Sequence, residues 1–185
     1  MWGVDVVNTS LGYYVFDDYS KDYEYCQLDG HYALISRQAS KVAGKGMVMV
    51  CSAGNTGNGT WKKITPPGDA GNVLTVGAVD KNVMLATFSS IGNTADNRIK
   101  PDVVAMGVAA GIMDTDGEVK KVNGTSFSSP VMCGMVACLW QARPQFTAKE
   151  VIELVRQSGD RYTHPDNIFG YGVPDVWKAY NSINK

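Results

Sequence analysis

The feature that most constrains this chain is a short polar segment followed directly by a long apolar one. Residues Asn123 to Pro130 read Asn-Gly-Thr-Ser-Phe-Ser-Ser-Pro, and a β-like run from Glu118 to Val122 precedes them. Beyond this segment the chain is continuously apolar from about Val131 to Trp140. The pattern predicts a helix with almost no polar face, which is expected to run through the middle of a domain.

Ser126 is placed by this pattern at the start of the predicted helix. Gly124 allows a tight entry that a side chain would obstruct, and Pro130 is expected in the first turn, where no N–H partner is lost. Free backbone N–H groups and the positive end of the helix dipole favour a developing anion there. We interpret Ser126 as a nucleophile. The alternative is that Thr125 and Ser126 only cap the helix, as serine and threonine commonly do.

Composition and charge exclude several classes of partner. The 185 residues are 44% hydrophobic and 19% charged, which suits one soluble domain, 1–185, with a sizeable core. The formal net charge of −1 gives no electrostatic case for nucleic acid or an anionic membrane. No apolar run approaches the roughly 18 residues that a membrane helix needs.

The residues predict no metal site. The four cysteines lack C-x-x-C spacing, and neither histidine lies near them at zinc-site intervals, so we expect four buried thiols: Cys26, Cys51, Cys133 and Cys138. The acidic, tyrosine-rich stretch from Tyr14 to Tyr32 is expected to be a surface loop, although it leaves calcium open. Asp114 to Gly117 starts like a calcium loop, but its twelfth position is Thr125, so a hairpin turn is predicted.

Buried strands alternate with helical segments along the chain. Val4 to Asn8 and Met47 to Cys51 are apolar on both faces, and the positions between Tyr32 and Val42 follow helical spacing. Strand, helix and strand at this spacing predict a parallel crossover, and hence an α/β fold with a mainly parallel central sheet flanked by helices in three layers. Further strands are predicted at Val73–Val79, Ala86–Ser89 and Pro101–Ala105, and helices after Thr147 and Pro174.

Asn55 lies in the glycine-rich loop Ser52 to Gly59, directly after the second strand. Ligand groups in open α/β sheets gather beyond the carboxyl ends of strands, so this asparagine is well placed for function. An ordinary Asn-Gly turn is the alternative. A phosphate loop is disfavoured because Gly59 is followed by Thr60 and Trp61, where Lys and Ser or Thr would be required.

Several stretches, taken in order, resemble the subtilisin-like serine proteases, or subtilases. Their active-serine segment is similar to Gly124-Thr-Ser126, which is followed here by Pro130 and Gly134. Their oxyanion segment is similar to Ser52-Ala-Gly-Asn55. Three further runs follow in the family's order: VGAVD (76–80), FSS-x-G (88–92) and KPDVVA (100–105). One departure is Met106, which stands where the family usually has proline. The resemblance covers nearly the whole chain.

This resemblance implies roles for particular residues. Ser126 would be the nucleophile and Asn55 the oxyanion donor of a serine endopeptidase, with a peptide cleft lined by Ser10, Leu11, Gly12, Ser52, Ala53 and Gly54. Ile64 to Gly68 would lie near the floor of the primary specificity pocket. The small residues Ser52, Ala53 and Gly54 predict that this pocket is roomy and mainly apolar. No cofactor is implied, calcium being left open. The family also implies a secreted or cell-envelope location.

The other two members of a subtilase triad do not fit this chain. The family order is Asp, His, Ser, whereas His31 and His164 lie outside any His-Gly-Thr segment. We therefore expect the C-terminal portion of a subtilase catalytic domain, lacking the N-terminal strands and inactive alone. The exposed sheet edge at Val4 to Asn8 would then favour a homodimer. A peptide-binding pseudoprotease module and a nucleotide-binding α/β domain remain as alternative functions.

Overall fold

The structure, a computed structural model, describes residues 3–182. Its main sheet contains four strands that are all parallel, in the order β1-β2-β3-β4, and a separate antiparallel hairpin contains β5 and β6. The strands are β1 (Val6–Thr9), β2 (Val48–Ser52), β3 (Leu74–Val79), β4 (Val103–Met106), β5 (Ala110–Met113) and β6 (Val119–Val122). The α-helices are α1 (Leu34–Ala43), α2 (Thr125–Ala142), α3 (Ala148–Gln157) and α4 (Val176–Ser182).

The main sheet separates two apolar layers, because alternate residues of a strand point to opposite faces. On β2, Val48 and Val50 pack into the core that includes α2, α3 and α4. The alternate residues Met49 and Cys51 pack into a smaller core with Ala39 of α1. The predicted three-layer α/β fold with a parallel central sheet is therefore confirmed.

Helix α2 differs from its prediction in two respects. It begins at Thr125, so Pro130 lies in the second turn and not in the first. Its burial is also one-sided, since Met132, Val136 and Leu139 are buried whereas the opposite face is exposed, with Val131, Gly134, Ala137 and Cys138. The expectation that this helix runs through the middle of the domain was wrong for residues 3–182, where α2 packs against the sheet, α3 and α4 and keeps one face exposed.

Two smaller predictions were also wrong. Ala86 to Ser89 is not a strand: the Ser89 N–H donates to the Ala86 carbonyl and closes a turn there. All four cysteines are free, as expected, but Cys26 and Cys138 are exposed. Burial raises the pKa of the Cys51 thiol to about 12, so it stays protonated at neutral pH.

The turn predicted at Asp114 to Gly117 is confirmed, because it joins β5 to β6.

A buried ion cluster ties the start of β4 to α3. Lys100 Nζ lies 2.7 Å from Asp102 Oδ2, and Arg156 lies 2.5 Å from Asp102 Oδ1. Burial raises the pKa of the Asp102 carboxyl, but the two neighbouring cations outweigh it and hold the pKa below its usual range. The carboxylate also accepts the Thr75 N–H over 2.6 Å, so both of its oxygens are paired. This cluster fixes β3, β4 and α3 relative to one another.

Candidate active site

Ser126 is the second residue of α2, at the end of the helix where backbone N–H groups are unpaired. Gly124 precedes the helix with a φ of +152°, which L side chains rarely adopt, and a β-carbon there would lie 3.3 Å from the Phe127 ring. The predicted tight entry at Gly124 is thereby confirmed. The Ser126 side chain is half-buried, and its hydroxyl has no hydrogen-bond partner within residues 3–182. It therefore does not cap the helix.

A groove of about 400 Å³ opens in front of Ser126. Three segments meet there: the chain after β1, the chain after β2, and the first residues of α2. The first two segments follow the carboxyl ends of two parallel strands, where the sheet topology predicts a ligand site. No charged side chain contributes to the lining, which consists of Ser10, Leu11, Gly12, Tyr13, Tyr14, Ser52, Gly54, Asn55, Thr56, Thr65, Thr125 and Ser126.

The side chain of Asn55 is held in one orientation by Thr125. Its Oδ1 accepts hydrogen bonds from the backbone N–H and the hydroxyl of Thr125, each over 2.9 Å. Because a backbone N–H can only donate, the atom that faces it must be the amide oxygen. The Nδ2 group then points the other way, 3.7 Å from where a β-carbon of Gly124 would lie, and has no acceptor within the described residues. Asn55 therefore has a donor without an acceptor, and it lines the same groove as Ser126.

A chain of hydrogen bonds links the end of β1 to the first turn of α2. Ser129 Oγ donates to Asn8 Oδ1 over 2.7 Å, and Asn8 Nδ2 donates to Ser10 Oγ over 3.0 Å. Ser10 Oγ in turn donates to the backbone carbonyl of Ser126 over 2.9 Å. The segment expected to line the cleft is thus bonded directly to the residue expected to be the nucleophile.

The structure brings together most, but not all, of the residues expected in the cleft. Seven of the expected residues line the groove: Ser10, Leu11, Gly12, Ser52, Gly54, Asn55 and Ser126. Ala53 is fully buried and does not line it, because its N–H donates to Val76 and its carbonyl accepts the Thr65 N–H. Neither His31 nor His164 lines the groove, and both are exposed. No group of three or more potential metal ligands occurs within residues 3–182.

Three residues of the site were missed by sequence reasoning: Asn8, Thr65 and Thr125. Thr125 stands inside the Gly-Thr-Ser segment, so its neighbours in sequence pointed to it, but its contact with Asn55 spans 70 positions. Asn8 was assigned only to a strand, and Thr65 only to a segment near the floor of a pocket. Their roles depend on contacts between distant parts of the chain that no local pattern encodes.

Comparison with known proteins identifies the family to which this arrangement belongs. The sequence model of the subtilase family matches residues 2–172. The chain belongs to the subtilase family. The resemblance read from the sequence is therefore confirmed.

Two relatives with curated descriptions are named as serine proteases. The chain is 32% identical over 160 residues to the serine protease AprX of Bacillus subtilis (strain 168). The matched region covers 75% of this chain and 35% of AprX. It is 32% identical over 178 residues to the thermophilic serine proteinase of Bacillus sp. (strain AK1), covering 96% of this chain and 38% of that protein. This subtilase chain thus spans less than half the length of these curated relatives.

Solved structures show the same fold. The patellamide maturation protease PatA superposes with a TM-score of 0.74 at 24% identity, covering 98% of this chain and 64% of PatA. The prenylagaramide maturation protease PagA superposes with a TM-score of 0.75 at 20% identity, covering 97% of this chain and 61% of PagA. At these identities the likeness concerns the fold, and both structures confirm the subtilisin-like arrangement of the sheet and helices.

Proposed function

We propose that residues 1–185 form one domain, the C-terminal portion of a serine endopeptidase catalytic domain, in which Ser126 attacks the peptide carbonyl. The observation that carries this proposal is the pairing of Asn55 with Thr125. Because Oδ1 of Asn55 is occupied by two hydrogen bonds, its Nδ2 is left to donate into the groove that Ser126 also lines. A preorganised donor next to a free hydroxyl at a helix N-terminus suits acyl transfer.

The proposed reaction has two steps. Ser126 Oγ attacks the carbonyl carbon, and the carbonyl oxygen becomes negative and accepts hydrogen bonds from Asn55 Nδ2 and the Ser126 N–H. The amine leaves with a proton, an acyl-serine remains, and water then hydrolyses it. Ser10 to Gly12 and Ser52 to Gly54 would hold the extended peptide by main-chain hydrogen bonds, as a strand added at the groove.

The hydroxyl needs a base, and none lines the groove within residues 3–182. Serine is a weak nucleophile until a base takes its proton, while His31 and His164 both lie outside the groove. We propose that the histidine and aspartate belong to a segment upstream of Met1 in the whole protein, so that this chain alone is inactive. In subtilisin itself, loss of the catalytic histidine costs about 10⁶ in turnover.

A direct test uses the longest natural protein that contains this chain. Hydrolysis of an unstructured protein substrate should be robust, and the Ser126→Ala variant should abolish it. An equal rate in the variant would overturn the proposal. Hydrolysis by residues 1–185 alone, lost in Ser126→Ala, would instead overturn the upstream base.

A second candidate function is a non-catalytic peptide-binding module. The observation that favours it is that the groove is intact while no histidine lines it. Upstream sequence that lacks both the aspartate and the histidine would favour this module over a peptidase. In either case the ligand proposed is a peptide or protein, with no cofactor and no nucleic-acid or membrane partner.

We also propose a location and an assembly. A secreted or cell-envelope location is inferred from the family alone; within residues 3–182 no helix is long and apolar enough to span a membrane. A homodimer is inferred from β1, which forms one edge of the main sheet as described, and from the exposed apolar face of α2 beside it. An unpaired strand edge is a common site of association.

A further inference from the structure

Large apolar side chains are exposed on the stretch that follows β1. Residues 11–34 expose more of them than any other stretch of that length within residues 3–182. Most are tyrosines, which are enriched at protein interfaces because they combine a large apolar ring with a polar tip. The exposed side chains are Leu11, Tyr13, Val15, Tyr19, Tyr25, Tyr32 and Leu34. An exposed cluster of this kind indicates a binding surface.

Aromatic contacts hold this stretch in one shape. Tyr23 packs edge-on against Phe16, with ring centroids 5.2 Å apart, and against Tyr32, with ring centroids 6.1 Å apart. The Tyr23 N–H donates to the Tyr14 carbonyl over 2.8 Å, and the Tyr14 ring stacks on Trp61 with centroids 4.6 Å apart. The stretch is thus fixed on itself and on a neighbouring loop, so a partner need not pay the entropy of ordering it.

The surface formed by residues 13–32, called here the 13–32 surface, is continuous with the groove in front of Ser126. Its first two residues, Tyr13 and Tyr14, line that groove. The next exposed apolar residues along the chain are Val15 and Tyr19. A peptide that leaves the groove beside Tyr13 and Tyr14 would therefore meet this surface next.

Carboxylates set the charge of the 13–32 surface. It contains five carboxylates and one lysine, a formal net charge of −4, whereas the whole chain carries −1. Lys21 pairs with Asp18 over 3.1 Å, but the exposed Asp17 side chain has no partner within residues 3–182. No group of three or more potential metal ligands occurs in that described part of the chain, so these carboxylates do not surround a common cation. The surface is therefore complementary to a positively charged partner.

We propose that the 13–32 surface binds a basic segment of the protein substrate that flanks the bond to be cleaved. Lysine or arginine side chains of that segment would face the carboxylates, and its apolar side chains would face the tyrosines. Arginine suits this surface best, because its guanidinium group pairs with carboxylates and stacks on aromatic rings. This inference rests on the proposed peptide cleft, since the flank reaches the surface from a peptide held in the groove.

A second copy of this chain is the competing occupant. Residues outside the 13–32 surface carry a formal net charge of +3, so another copy also offers positive charge. The continuity of the surface with the groove favours the substrate, because a flanking segment is delivered there whenever a peptide is bound. The two occupants differ in one measurable respect, since only a second copy changes the mass of the chain without peptide.

The test is a fluorescence-anisotropy titration of the 185-residue chain with labelled peptides of about twelve residues, which span about 40 Å when extended. Each peptide has a neutral core for the groove and a flank of Lys-Tyr-Arg-Lys or, as the matched control, Gln-Tyr-Gln-Gln, placed at either end. At about 50 mM salt the basic flank should tighten binding at least about fivefold at one of the two ends. The gain should shrink at about 500 mM salt, where exposed charges are screened.

Four variants connect the preference to the surface. Asp17→Lys reverses an exposed, unpaired charge and should reduce the gain, whereas Glu118→Lys, an exposed position in the turn between β5 and β6, should preserve it. Tyr19→Ser removes a ring that is 82% exposed and should weaken the binding of both flanks. Met113→Ser, at a 73% exposed position on the hairpin, should not weaken it.

Three results would overturn the inference. The first is equal binding, or no binding, of peptides with the basic and the neutral flank. The second is a gain that persists undiminished in Asp17→Lys. The third is a fall in the light-scattering mass of the peptide-free chain in Asp17→Lys, which would make a second copy the occupant. Failure of the peptidase proposal is read separately, from the labelling of Ser126 in the longer protein, since peptide binding requires no chemistry.

Discussion

Ser10 donates its hydroxyl hydrogen to the backbone carbonyl of Ser126 over 2.9 Å, across 116 positions of the chain. This carbonyl needs such a partner because Pro130, four residues later, has no N–H to donate to it within the helix. The placement of Pro130 in the second turn of α2 is therefore compensated by the segment that lines the groove. The same bond fixes the backbone of the proposed nucleophile against the proposed peptide-binding wall.

Asn8 is expected to act as a positioning residue through this contact. Asn8→Ala removes the bonds to Ser10 and from Ser129, so in the longer active protein kcat should fall about tenfold, equivalent to ~1.4 kcal/mol, with KM little changed. Steady-state kinetics measure the effect. Asn72→Ala is the matched control, because Asn72 makes one side-chain hydrogen bond of 2.9 Å to Ser40, away from the groove. An unchanged kcat in a folded Asn8→Ala protein would contradict this role.

Asn55 should be more sensitive than Asn8, because its amide would contact the reacting oxygen. Asn55→Leu keeps the size but removes the donor, and kcat in the longer protein should fall by about 10²–10³, the loss that subtilisin shows for its own oxyanion asparagine. KM should change little, since the interaction develops in the transition state. Asn58→Leu is the control, being an exposed residue of the same loop that does not line the groove. Equal losses in both variants would refute the assignment.

Much of this site could be predicted from the sequence, and the remainder has a common physical reason. The helix start at Ser126 and the loop at Asn55 are local patterns of glycine, small polar residues and buried strands, so they were identified. The contact of Thr125 with Asn55 and that of Ser10 with Ser126 join distant segments, and they exist only once the sheet has formed. The one-sided burial of α2 was missed because apolar periodicity reports what a helix can bury, not which neighbours are present.

The buried carboxylate of Asp102 should make stability depend on acid pH. Its folded-state pKa lies below the ordinary value of about 3.9, so its contribution is fully present above that pH and is lost as the pH falls through the depressed folded pKa. Asp102→Asn leaves Lys100 and Arg156 without their shared partner and should destabilise by about 3–5 kcal/mol at pH 7. Urea unfolding between pH 7 and pH 2 measures both effects.

Asp96→Asn supplies the comparison for that experiment. Asp96 pairs with Arg98 over 2.7 Å, but its side chain is 40% exposed, and such pairs contribute at most about 1 kcal/mol. If Asp102→Asn proves no more destabilising than Asp96→Asn, the buried cluster does not have the structural role assigned to it.

Association through β1 should be visible in solution. Val4, just before the strand, is 51% exposed, and a lysine there should blunt the edge for pairing with a second copy. Light scattering at high micromolar concentration should give a dimer mass for the 185-residue chain and a smaller mass for Val4→Lys. Val119→Lys, at a 74% exposed position on the β5–β6 hairpin, should leave the dimer intact. A clean monomer of the unmodified chain would rule out this interface.

The most direct test of the central claim is fluorophosphonate labelling followed by intact-mass measurement, comparing this chain with a longer natural chain that includes the upstream segment. Ser126→Ala in the longer chain is the control. The account predicts one label on the longer chain, none on its Ser126→Ala variant, and none on residues 1–185 alone. A folded longer chain that takes up no label, or keeps it in Ser126→Ala, would contradict the assignment of Ser126 as the nucleophile.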